Sequence, residues 1–121
     1  MMQGDSNNVN GNNNGILGNF NQLFGDFNTL KGDENKVKGN NNGVNGNLNQ
    51  LIGNTNLLEG NQNKIKGDLN QVFGDLNALQ GNSNIAVGDR NALIGDFNKL
   101  FGFDNSVFGS KNLVQGDMNT L

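Results

Sequence analysis

The chain has no cysteine, histidine, proline, tryptophan or tyrosine, and only 33% of its 121 residues are apolar. Without cysteine there is no disulfide framework and no thiol nucleophile. Without histidine as well, Ser-His-Asp and Cys-His arrangements and zinc sites fall away. No apolar run approaches the roughly 18 residues of a spanning helix, and the start MMQGDSNN has no apolar signal-peptide region. The formal charge is only −3, with acids and bases interspersed. This favours neither nucleic acid nor a membrane as partner. No P-loop or GxGxxG is present.

What is there is a seven-residue unit, cleanest in GDLNQVFGDLNALQG (Gly67 to Gly81). Glycine stands at position 4 and every seventh residue to 116, and asparagine follows each glycine by three. An aliphatic follows two later, from Val9, Ile16 and Leu23 to Leu121, with Ala86 the one small case. Asparagine- and glycine-rich composition alone would suggest disorder, but disordered tracts do not hold register over a whole chain.

The heptad is not a coiled coil. That needs two apolar positions per unit, and each interior glycine would cost a helix roughly 1 kcal/mol. As a strand, Asn, aliphatic and the next Gly alternate toward one side and their neighbours toward the other. The remaining pair, as in Asp68-Leu69, forms a corner, where glycine supplies positive φ and Asx side chains bond their local backbone. Two heptads then close a coil, giving an all-β parallel β-solenoid of about eight coils and roughly 40 Å length, at about 4.8 Å per coil. A triangular coil of three heptads is the competing geometry. Residues 1–121 are read as a single solenoid domain without evident caps.

One aliphatic per strand makes a thin interior, so backbone ladders and asparagine amides must carry much of the stability. A buried amide has two donors and an acceptor to satisfy. The invariant asparagines, among them Asn21, Asn28, Asn49, Asn70, Asn77 and Asn98, are therefore read as an internal ladder bonding coil to coil.

The outward positions carry the functional signal. One face presents Gln22/Phe24, Lys36/Lys38, Gln50/Ile52, Lys64/Lys66 and Ala92/Ile94; the other presents Thr29/Lys31, Leu57/Glu59, Gln71/Phe73, Ile85/Val87 and Lys99/Phe101. Phe24, Ile52, Phe73, Val87, Ile94, Phe101 and Phe108 form a candidate self-association surface, since extensive exposed apolar residues mark contacts. Apolar and lysine pairs alternate on the first face every 28 residues. The corner residues Phe20, Phe27, Leu48, Leu69, Leu76 and Phe97 have two readings: folded over the coil ends as ordinary core, or outward. Gly15 and Gly43 take outward strand positions and leave those strands nearly bare. Asp26, Asp33, Asp68, Asp75, Asp89, Asp96 and Asp117 share one position with asparagine, which assigns them to corners rather than to catalysis or calcium. No enzyme activity, metal or cofactor is expected.

The unit xxNxVxG resembles the repeat of the ryegrass-type ice recrystallisation inhibition proteins over essentially the whole chain. The segment GNSNIAVGDRNALIG (Gly81 to Gly95) is also similar to the heads of trimeric autotransporter adhesins. Both resemblances imply a left-handed β-roll and favour an extracellular location. The first implies ice as a partner, met through a flat face rich in Thr, Ser and Val; outward threonine is rare here. Read from its exterior, the chain is a non-enzymatic, self-associating structural or adhesive subunit, a homo-oligomer or an end-to-end filament. Ice binding and a segment of an adhesin head are the alternatives.

Overall fold

A computed structural model describes every residue, Met1–Leu121. Seventeen strands follow one another at seven-residue steps, β1 Met2–Gln3, β2 Asn8–Asn10, β3 Gly15–Leu17 and onward to β17 Leu113–Gln115. There is no helix. The odd-numbered strands stack in chain order as one nine-stranded parallel sheet and the even-numbered strands as an eight-stranded one. Each residue pairs with those fourteen before and after it: Val72 lies between Leu58 and Ala86, and Ile65 between Leu51 and Leu79. A triangular coil would pair residues twenty-one apart, so the two-heptad coil is the observed one.

The sheets face each other across one core of fifteen aliphatics, Ile16 to Val114 at seven-residue steps. The only other buried residues are thirteen asparagines, Asn21 to Asn105 at the same step. The interior is therefore a double row of branched hydrocarbon bordered by carboxamides. Two of the expected aliphatics stand apart: Val9 is only partly buried against the core, and Leu121 is exposed.

The corners hold two backbone features per unit, not one. The repeat glycines have φ between 104° and 144°. At Gly67 an added Cβ would stand 1.9 Å from the carbonyl oxygen of Gly81 in the next coil, so no side chain fits. Two residues later the chain is left-handed again, with φ of 56° to 63° at residues as varied as Phe20, Glu34, Thr55 and Arg90. This second position is invisible in the sequence because these residue types avoid that conformation. Phe20, Phe27, Leu48, Leu69, Leu76 and Phe97 all sit here and are exposed, Phe20 at 62%. They do not fold back into the core, because a left-handed residue at the outer bend directs its side chain away from the coil.

The bend leaves two backbone N–H groups per heptad without a main-chain acceptor, and side chains take them up. The first belongs to the ladder asparagine. The N–H of Asn63 donates to Oδ1 of Asn49 one coil earlier at 2.9 Å, and its Nδ2 donates to that oxygen and to the Gly74 carbonyl. Each such amide thereby bonds both neighbouring coils. The second N–H belongs to the residue after glycine. That of Asn61 donates to Oδ1 of Asp75 one coil later at 2.6 Å, and that of Asp68 to Asn82 at 2.8 Å. The corner Asx side chains were expected to bond their own turn; they bond the adjacent coil instead, because the unsatisfied N–H points along the rod axis. The two Asx columns thus run in opposite directions, one accepting from the following coil and one from the preceding coil. No buried side-chain polar atom is left without a partner.

Candidate functional surfaces

From β3 onward the middle residue of each strand is buried and the two beside it are exposed or half-buried, so two side chains per strand point outward and stack into columns along the rod. On the nine-stranded sheet one column reads Gly15, Thr29, Gly43, Leu57, Gln71, Ile85, Lys99, Leu113. Its companion reads Leu17, Lys31, Asn45, Glu59, Phe73, Val87, Phe101, Gln115. The columns are roughly 6.6 Å apart and their members about 4.8 Å apart. Gly15 and Gly43 do occupy outward positions; nothing lies within 4 Å of where a Gly15 Cβ would stand.

On the eight-stranded sheet the corresponding columns are Asn8, Gln22, Lys36, Gln50, Lys64, Ala78, Ala92, Ser106 and Asn10, Phe24, Lys38, Ile52, Lys66, Gln80, Ile94, Phe108. The seven residues of the candidate self-association surface therefore divide between opposite faces. Phe24, Ile52, Ile94 and Phe108 share one column, and Phe73, Val87 and Phe101 share another. The two groups differ in depth. Phe73 is half-buried and Val87 and Phe101, which follow it in the column, are each 37% exposed, whereas Phe108 reaches 60%.

Charge separates the faces more sharply. The eight-stranded face has four lysines and no acid; the nine-stranded face has Lys31, Lys99 and Glu59. Every other acid lies at a corner, where Arg90 and Lys111 are the cations. Arg90 grips Asp104 of the next coil through Nε at 2.6 Å and a second nitrogen at 2.8 Å. That hydrogen bond raises the arginine pKa above its usual value and lowers the Asp104 carboxyl below the usual carboxylate range. Seven other corner carboxylates, Asp26, Asp33, Asp68, Asp75, Asp89, Asp96 and Asp117, each accept a backbone N–H, and no cluster of three or more acids gathers in a metal-binding arrangement.

The ladder asparagines Asn21, Asn28, Asn49, Asn70, Asn77 and Asn98 all lie in the two amide columns, almost fully buried. Sequence reasoning missed the second, corner column. The signal was present in the preference for Asp or Asn after glycine, broken at Phe103 and Ser110. Ser110 still accepts, through Oγ at 3.2 Å, while Phe103 offers Asp89 no oxygen. A family model described as "Grass antifreeze beta roll" matches residues 1–74 and 39–121, overlapping spans that together cover the chain. No curated protein sequence matches it.

Proposed function

The chain belongs to the grass antifreeze β-roll family, and from that membership and the regular stacking of its strands we propose that it binds ice. The family is an ice-binding structural fold rather than an enzyme family. The observation that carries the reading is the unbroken fourteen-residue register, which sets outward side chains on a fixed rectangular grid. A surface that recognises a crystal must be flat, repetitive and stiff, and a coil bonded to both neighbours at every corner is stiff.

The nine-stranded face is the better ice surface. Its charges are single and separated, Gly15, Thr29 and Gly43 keep it low, and Phe73, Val87 and Phe101, consecutive in one column, are less exposed than Phe108 on the other sheet. Paired ammonium groups on the other face hold their own hydration shells and oppose an ordered water layer. The test is recrystallisation of a polycrystalline ice film with the purified chain. Grain growth is expected to slow relative to an equal mass of an inert protein; unchanged growth refutes ice binding. Ile85→Lys with Val87→Lys is expected to lose at least tenfold in potency. Ala92→Lys with Ile94→Lys, the matched pair on the opposite sheet, is expected to retain it.

Self-association through outward apolar residues is the second reading, supported by the exposure of Phe20, Phe24, Phe27 and Phe108. Its test is concentration-dependent sedimentation of the same preparation. The family match favours ice binding over it.

A further inference from the structure

We propose that the eight-stranded face is a docking surface for an anionic lipid bilayer. The inference does not rest on ice binding, which is assigned to the opposite sheet. The small net negative charge conceals the arrangement, because the acids occupy the corners while Lys36, Lys38, Lys64 and Lys66 stand together on a face with no carboxylate. Within each pair the side chains are two residues apart in one strand, roughly 6.6 Å, and the pairs are two strands apart, roughly 9.6 Å. The four lysines are therefore rooted at the corners of a rectangle on the sheet.

The same column that carries Lys38 and Lys66 carries Phe24, Ile52, Ile94 and Phe108, 41% to 60% exposed. Phe24, Lys36, Lys38, Gln50 and Ile52 line one shallow depression. This interleaving selects among anionic partners. A linear polyanion matches a line of cations and leaves the apolar side chains in water. A bilayer interface takes both at once, headgroup charge against lysine and the acyl boundary against phenylalanine and isoleucine. The two outward columns run side by side over all eight strands, an extended surface on which charged and apolar side chains are presented together rather than a single line of cations.

The experiment is flotation of the full chain with large unilamellar vesicles of phosphatidylcholine alone or with about 30% phosphatidylserine, an anionic fraction that sets up the negative surface potential lysines respond to. Enrichment on the anionic vesicles at low salt, falling at high salt, is expected. Each lysine contributes about fivefold to partitioning. Lys36→Gln/Lys38→Gln/Lys64→Gln/Lys66→Gln should therefore abolish enrichment, while Lys31→Gln/Lys99→Gln/Lys111→Gln should leave most of it. Lys64→Gln/Lys66→Gln alone should lose about 25-fold, keeping the test intact if the quadruple variant does not fold. Phe24→Ser/Ile52→Ser should weaken binding with no change in charge. Equal binding to neutral and anionic vesicles overturns the proposal, as does equal loss in the control triple variant. So does capture by soluble polyphosphate without vesicle binding.

Discussion

Along the rod, the inward and outward columns obey different rules. At the core and corner positions asparagine follows asparagine and glycine follows glycine in every coil; on the sheet face one column runs Thr29, Gly43, Leu57, Gln71, Ile85. Burial alone does not explain the contrast, since the residue after glycine is half-buried or exposed, never buried, yet is nearly always Asp or Asn. What the conserved-looking columns share is a task along the axis: each must clear or bond the same position one coil away. An error there is met twice, above and below. An outward residue meets water on its free side and tolerates change.

The sharpest test of this division sets two glycines against each other. Gly67→Ala drives a Cβ to 1.9 Å from the Gly81 carbonyl oxygen at a φ of 137°. It should cost at least about 4 kcal/mol and split the cooperative melt, because a solenoid is held only by contacts between adjacent units. Gly15→Val places its side chain in open space and should gain up to about 0.5 kcal/mol. Equal effects in thermal unfolding would erase the distinction between the columns.

Next in size is the interior amide. Asn49 Oδ1 accepts two hydrogen bonds from Asn63, and its Nδ2 donates to Asn35 and Gly60. Asn49→Leu adds apolar bulk but strands the Asn63 N–H and the facing carbonyl. The expected loss is about 3 kcal/mol, read as a lowered denaturant midpoint. A neutral result would mean that hydrocarbon, not the ladder, holds the coils.

Corner positions fall between the two regimes. Thr55, β-branched and at φ 57°, is the most strained of its column, whereas Asn13 and Asn41 hold the same conformation with a residue suited to it. Thr55→Asn should stabilise by about 0.5–1 kcal/mol. Phe103→Asn should add about 0.5–1 kcal/mol by giving the Asp89 N–H the acceptor its column lacks. Amide exchange at Asp89 should slow accordingly.

How much was legible follows from the same division. Period, strand alternation and the meaning of a strictly repeated buried asparagine all lie in residue types at fixed spacing, so the solenoid and its amide ladder were readable. The second left-handed position was not, because Phe, Leu and Thr carry no signature of it. The partners of the corner Asx residues were misplaced because local bonding is their usual habit and a partner fourteen residues away exists only once the coil closes. The outward surface was legible as a list but not as a preference. Exposed Phe24 and Phe108 directed the reading toward self-association, while the lysines' segregation from acid emerges only when each charge is sorted by face.

The smallest expected effect concerns the one ion pair that joins neighbouring coils on the outside. Where Asp75 and Asp89 fall adjacent in the corner column, Arg90 extends beside them and binds Asp104. The Asp104 carboxyl is held below the usual value of 3.8. Its pairing therefore contributes in full above that value and is lost as pH falls through the lower folded-state value. Parent and Asp104→Asn should differ in Tm by a small constant amount near neutrality, and the gap should close in acid below the ordinary carboxylate range. Salt should close it too, since both groups stand in solvent. A gap that persists in acid and in salt would mean that Asp104 does not act through its charge, since asparagine accepts the same left-handed backbone, φ 56°. Arg90→Gln completes the comparison: it removes the charge while leaving Asp104 in place, and should reproduce the same pH dependence.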